Sequence, residues 1–293
     1  MIPDSLSNTD AQLSLLELKC RRPVEHLLAG EYHSVFRGQG IEFEDVRRYQ
    51  PGDDVRSMDW KVTARTGEPH IKRYIEQREQ FLYLLVDVSA SMIQSSGGRK
   101  RALITELCAL LTMAAVRNND RVSLILFTDR VEMVIPAGKG RSHALRIMDT
   151  MLNFEPTGRE TAFKAVLSRF GHMARKHSVV FVISDFLASD YFDELRALAA
   201  RNDLNAVNVL DTQTQLAAST ELVHMEDTET GSQRYVDLKC TKQQTDEHPI
   251  ALQEQMLQSG IGLMELGVDE DCVTALASYF QSRHRRVADE TGG

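Results

Sequence analysis

Two segments of the chain are apolar almost without interruption: Phe81-Leu-Tyr-Leu-Leu-Val86, and Ser178-Val-Val-Phe-Val-Ile183 after its first serine. Continuous rather than alternating apolar runs of this length are the pattern of strands buried on both faces. Each run is followed within two residues by an aspartate, Asp87 and Asp185. Between and after them, helical and strand patterns alternate. Helices are predicted over Lys100–Arg117, 141–153, 161–175 and 190–201, and strands over Arg121–Thr128, Val131–Ile135 and Asn205–Leu210. Glu221–Met225 and Gln233–Leu238 flank Thr230-Gly231-Ser232, a hairpin signal. A helix over 242–258, a strand Gly262–Leu266 and a helix over 271–285 close the pattern. Alternation of this kind predicts an α/β fold with a doubly wound, mostly parallel, Rossmann-type central sheet.

Residues 1–80 read differently. A helix near 10–21 leads into a stretch holding Gly30, Gly38, Gly40, Gly52 and Gly67, then a strand at Ile71–Glu76. The expected organisation is an N-terminal segment, 1–80, packed on an α/β domain, 81–285, whose C-terminal part is a hairpin-helix-strand-helix extension. A frayed tail, 286–293, follows.

Composition narrows the function classes. Of 293 residues, 34 are Lys or Arg and 42 Asp or Glu, a net charge of −8. That balance argues against a nucleic-acid partner, which needs a basic face. The charge is uneven: 221–293 carry 6 basic and 14 acidic residues, so the whole excess lies there, where it would steer a basic partner. The longest apolar run, Leu107–Val116, is half the ~20 residues of a membrane span and reads as a buried helix. The first ten residues lack the features of a secretory leader. Cys20, Cys108, Cys240 and Cys272 lie far apart, without metal-ligand spacing or a disulfide framework. A reducing, cytoplasmic setting is expected.

Chemistry concentrates at the two strand ends. In an open α/β sheet, ligands bind outside the carboxyl ends of the strands. The first strand delivers Asp87-Val-Ser89-Ala-Ser91, the second Ser184-Asp185, and Thr157-Gly-Arg-Glu-Thr161 enters a helix between them. Carboxylates with hydroxyls are hard-oxygen donors, suited to Mg²⁺, Ca²⁺ or Mn²⁺. Taken alone, Asp-x-Ser-x-Ser reads first as the N-cap series of a helix, and only the joint pattern at the strand ends reverses that reading. Other chemistry is missing: the sequence has no Gly-x-x-x-x-Gly-Lys-Ser/Thr, no Gly-x-Ser-x-Gly and no motif around any of its nine histidines.

The set at the strand ends resembles the metal-ion-dependent adhesion site of von Willebrand factor A domains. Residue by residue, the resemblance implies that Asp87, Ser89 and Ser91, then Thr161, then Asp185 hold one divalent cation. Mg²⁺ is the expected ion, with Mn²⁺ and Ca²⁺ as alternatives. Thr157 is the fallback threonine, because Arg159-Glu160 stand where that family commonly has glycines.

A second resemblance covers nearly the whole chain, from about 20 to 285. It rests on Gly30-Glu-Tyr-His-Ser34, Gly38-Gln-Gly40-Ile-Glu42-Phe43, Arg47-Arg-Tyr49-Gln-Pro-Gly52-Asp53-Asp54-Val-Arg56-Ser-Met-Asp59-Trp60 and Thr63-Ala-Arg65. These resemble a bacterial family of unassigned function, domain-of-unknown-function family fifty-eight, which carries a von Willebrand factor A-like module. The resemblance implies a partnership with a MoxR-type AAA+ ATPase and its client proteins. The expected role is a non-enzymatic, metal-dependent interaction module, an adaptor or co-chaperone. The alternative is a Mg²⁺-dependent phosphohydrolase with Asp87 as nucleophile; it lacks a second acid two residues on, where Ser89 stands. Within the signature, Arg47, Tyr49, Gly52, Asp53, Asp54, Arg56 and Asp59 are expected to form a charge-paired network pinning the N-terminal segment to the domain. The alternative is a solvated loop with one buried anchor, Trp60, the only tryptophan.

Overall fold

A computed structural model describes residues 4–29, 42–75, 79–93, 95–158, 161–188, 191–211, 223–226, 233–236 and 252–291. The chain divides into two compact units: Phe36–Gln80, and the remainder, which joins the first helix to everything from Phe81 onward.

The larger unit is built on a six-stranded sheet. The two apolar runs become its central strands, β3 (Phe81–Asp87) and β6 (Val179–Ser184), which pair in parallel with Val86 opposite Ile183. On the far side of β3 lie β4 (Arg121–Phe127), parallel to it, and the edge strand β5 (Val131–Gly138), antiparallel to β4. On the far side of β6 lie β7 (Asp203–Leu210) and β10 (Gly262–Gly267), both parallel. The order is therefore β10-β7-β6-β3-β4-β5, and it reverses direction between β3 and β6. That reversal opens a crevice at the carboxyl ends of these two strands, where doubly wound sheets bind ligands.

Helices cover the sheet. α1 (Asp4–Ala29) buries Cys20 and Val24 and is tied down by ion pairs from Lys19 to Glu106 (2.6 Å) and from Glu17 to Arg141 (2.6 Å). It therefore packs with the α/β unit, whereas the sequence reading groups it with residues up to 80. Glu106 and Arg141 belong to α4 (Arg99–Arg117) and α5 (Gly140–Asn153). The apolar run from Leu107 lies in α4 and is mostly buried, with Cys108 fully so. Burial pushes the Cys108 thiol up, the behaviour of a packing residue rather than a reactive one. α3 (Ala90–Ile93), α6 (Phe163–Met173), α7 (Phe192–Ala199), α8 over 252–258 and α9 (Cys272–Thr291) complete the unit. α9 continues into the residues read from sequence as a frayed tail. The pair β8 (Val223–Glu226) and β9 (Gln233–Val236) is antiparallel, as the hairpin signal predicts. The hairpin turn at 230–232, Cys240 and the first part of the helix predicted over 242–258 lie outside the described residues.

The smaller unit holds an antiparallel pair, β1 (Glu42–Arg48) and β2 (His70–Ile75), and a short helix, α2 (Trp60–Thr66). The sequence reading places β2 to within a residue and misses β1, whose charged residues disguise a strand.

Candidate functional site

The crevice between β3 and β6 gathers the predicted oxygens around one buried carboxylate. Because Val86 faces Ile183, the next residues along, Asp87 and Ser184, are side by side, and Ser184 Oγ donates to Asp87 Oδ2 at 2.6 Å. Asp87 is 0% exposed, as are Ser89 and Ser184. Asp87 Oδ1 accepts the Ser89 N–H at 2.9 Å, an Asx turn that starts the loop. Ser89 Oγ and Ser91 Oγ are 3.2 Å apart, and Thr161 Oγ1 lies 3.5 Å from Asp87 Oδ2. Burial pushes the Asp87 carboxyl up to about 6, against the opposing bonds from Ser184 and Ser89; the charge of Asp185 adds to the rise. A carboxylate held this dry is costly unless positive charge or further donors reach it.

Asp185 supplies the second carboxylate. Its Oδ1 accepts the Leu187 N–H at 3.4 Å, while its buried Oδ2 has no hydrogen-bond partner. Lys100 Nζ lies 3.7 Å from Oδ2 and 3.5 Å from the Ser91 carbonyl oxygen.

An aromatic cluster fixes the loops that carry Thr161 and Asp185. Phe163, two residues after Thr161, meets Phe127 edge-on at 5.4 Å, Phe186 at 5.6 Å and Tyr191 at 4.9 Å. Phe186 immediately follows Asp185 and adopts a positive φ of 52°. Its carbonyl accepts the Tyr191 hydroxyl at 3.2 Å, which holds that unfavourable backbone in place. Aromatic contacts of this kind contribute about 0.5–1.5 kcal/mol each beyond area burial.

The choice between the two threonines has a local answer. Thr157 Oγ1 donates to Glu132 Oε2 at 2.7 Å, and Glu132 Oε1 accepts from Gly158 N–H (2.8 Å) and Thr128 Oγ1 (2.9 Å). A Cβ at Gly158 would collide with Thr128 and Asp129, so glycine is required by close approach. Thr157 is thus committed to Glu132, and Thr161 is the threonine facing Asp87. Arg159 and Glu160 lie outside the described residues.

The donor set suits a hard divalent cation: two carboxylates, three hydroxyls from Ser89, Ser91 and Thr161, and an unused lone pair on Asp185. Among the described residues no cluster of three or more His, Cys, Asp or Glu exists, so a site built chiefly from those side chains is not formed there.

The family-signature residues serve local structure. Arg47 makes two bonds to Asp53 (2.9 and 2.7 Å), and Asp53 Oδ2 also accepts the Gln50 N–H. Asp54 accepts the Arg56 N–H, and Asp59 caps α2 through Lys61 and Val62 N–H. Tyr49 N–H donates to the Pro69 carbonyl, and Gly52 takes a φ of 110° that a side chain would disfavour. Every one of these bonds stays within Phe36–Gln80. Trp60 corrects the sequence reading: it is 67% exposed, not a buried anchor, because its place at the first position of α2 turns it outward. Gly30–Ser34, Gly38 and Gly40 lie outside the described residues.

Residues 45–253 match the family described as "Protein of unknown function DUF58". The chain belongs to the DUF58 family. Relatives include proteins named as uncharacterized from Mycobacterium bovis and Mycobacterium tuberculosis, each 29% identical over 284 residues, spanning 94% of this chain and 90% of theirs. Among solved structures, conserved hypothetical protein BatB from Bacteroides thetaiotaomicron is similar at 14% identity and a TM-score of 0.43, covering 71% of this DUF58 chain and 99% of BatB. The pilus adhesin SpaC from Lactobacillus rhamnosus GG, in its open conformation, is similar at 13% identity and a TM-score of 0.41, over 73% of this chain and 30% of SpaC. Among the described residues, no helix is long and apolar enough to cross a membrane.

Sequence reasoning names Ser184 at its strand end but leaves it out of the site, and it misses Lys100, Phe186 and Tyr191. For Ser184 the signal is register: parallel strands ending in Asp87 and Ser184 make the two neighbours. For Lys100 no sequence signal singles it out, since Arg99 and Arg101 flank it in the same first turn of α4.

Proposed function

We propose that this DUF58 chain is a non-enzymatic, divalent-metal-dependent protein-interaction module with a von Willebrand factor A-type adhesion site. The observation that carries the reading is the convergence of Ser89, Thr161 and Ser184 on the fully buried Asp87, beside an Asp185 oxygen that nothing hydrogen-bonds. Asp87, Ser89, Ser91, Thr161 and Asp185 would hold the cation, with Mg²⁺ the expected ion. When bound, a divalent cation supplies Lewis acidity and a coordination position for a carboxylate from outside the chain. The rest of the work falls to the protein: the aromatic cluster fixes the loops, and burial of Asp87 excludes competing water.

The partner class comes from the family resemblance: a MoxR-type AAA+ ATPase, with the chain as its adaptor or co-chaperone toward client proteins. The phosphohydrolase alternative gains nothing from the site, where the residue two after Asp87 is Ser89 and its hydroxyl faces Ser91. The test is capture of the purified ATPase by the full chain in Mg²⁺ and in EDTA. Capture that needs Mg²⁺ and is lost in Asp87→Ala supports the reading. Capture unchanged by EDTA overturns its metal-bridged form.

A further inference from the structure

Lys100 is the second residue of α4, yet only 6% of it is exposed. Two costs attach to that position: an ammonium beside a helix N-terminus opposes the macrodipole, and a buried charge must be compensated. The helix offers neither compensation. What the side chain reaches instead is the crevice, where Nζ sits 3.5 Å from the Ser91 carbonyl oxygen and 3.7 Å from Asp185 Oδ2. Both separations are long for a charge-assisted hydrogen bond, which prefers about 2.7–2.9 Å. The ammonium is therefore near the carboxylate without being locked to it. Asp185 Oδ2, buried and accepting no hydrogen bond, faces this loosely held charge.

We propose that Lys100 is a tethered resident cation of the site, which competes with the divalent ion for Asp185 and must swing aside for that ion to bind. The inference rests on the divalent-ion reading of the site and assigns it a built-in regulator. With Asp87 and Asp185 both ionised the crevice carries two negative charges; one ammonium halves this and stabilises the crevice without metal. An arriving divalent cation then meets a positive charge beside one of its own ligands. Lysine suits such a role, because its point charge rides on a flexible four-carbon stem that can carry it out toward water. The consequence is a site that takes its metal weakly until something draws Lys100 away, and an acidic group on a docking partner is the chemistry that would do so.

The experiment is calorimetric titration of Mn²⁺ into the full chain as wild type, Lys100→Met and Lys100→Arg. Lys100→Met keeps the buried stem without the charge and is expected to bind Mn²⁺ at least about tenfold more tightly, where tenfold corresponds to about 1.4 kcal/mol. Lys100→Arg keeps the charge and should stay near wild type. An Mn²⁺ affinity in Lys100→Met equal to or weaker than wild type overturns the competition while leaving the metal reading standing. Absence of Mn²⁺ binding in wild type and Lys100→Met alike overturns both. Should Lys100→Met fail to fold, the wild type itself answers: acetylation of Lys100 by limiting acetic anhydride, read by peptide mass spectrometry, should rise several-fold once Mn²⁺ saturates. Labelling that is unchanged or reduced by Mn²⁺ contradicts the displacement.

Discussion

Aspartates in the two units of this protein are used in opposite ways. In Phe36–Gln80, Asp53, Asp54 and Asp59 spend their oxygens on neighbours: an arginine six residues back, and backbone N–H groups two or three residues away. These carboxylates build turns and a helix cap, and their bonds, from Arg47 to Asp53 and from the Val62 N–H to Asp59, lower both carboxyls from their ordinary value. At the sheet edge, Asp87 is instead met by Ser184 from 97 residues away and Thr161 from 74, and Asp185 keeps an oxygen that its own loop does not use. The motif-rich segment is therefore the structurally occupied one. At the strand ends the local backbone takes only one oxygen of each carboxylate, through the Ser89 and Leu187 N–H groups. A carboxylate becomes a functional candidate when its own loop leaves an oxygen to distant residues or to nothing.

Three substitutions sharpen this contrast, taken from the largest effect down. Phe163→Ala removes the ring shared by the Thr161 and Asp185 loops, and as a large-to-small core change it is expected to cost about 3–5 kcal/mol. Urea unfolding measures the loss, and divalent binding should weaken with it; a change below about 1 kcal/mol would mean the loops are held by something else. Glu132→Gln probes the neighbouring network. Burial alone would raise the Glu132 carboxyl, but bonds from Thr157, Gly158 and Thr128 hold it below its ordinary value. A depressed folded pKa contributes stability that is present above about pH 4.3 and lost as pH falls through the lower folded value. Thermal melts of Glu132→Gln should accordingly show a shallower fall over that acid window than wild type. Asp59→Ala deletes the α2 cap, worth about 1 kcal/mol, and hydrogen exchange should report the loss within 60–66. Mn²⁺ affinity should not change, since no signature carboxylate contributes to the sheet-edge set.

How much could be read in advance follows the same division. Continuous apolar runs announced β3 and β6, and the apolar stretch from Leu107 announced α4, because burial on all sides leaves no polar positions to confuse the pattern. That Asp87, Ser89, Ser91 and Asp185 stand at or just beyond the carboxyl ends of β3 and β6 was legible, because continuous apolar runs fix where those strands stop. Lys100 was not: from sequence it is one more cation in Arg99-Lys-Arg101, and only the turn of α4 directs it inward. Trp60 misled for a related reason. Tryptophan usually anchors a core, but helix position decides which way it points, and the first position of α2 leaves it exposed. β1 escaped because Glu42, Glu44, Asp45, Arg47 and Arg48 interrupt any alternation.

The central claim is that the crevice between β3 and β6 is a divalent-cation site nucleated by Asp87. Calorimetric titration of Mg²⁺ into the full chain, beside Asp87→Ala and Asp59→Ala, tests it most directly. The account predicts one Mg²⁺ per chain in wild type and Asp59→Ala, and none in Asp87→Ala. Mg²⁺ binding that survives Asp87→Ala unchanged, or that wild type lacks, would contradict it.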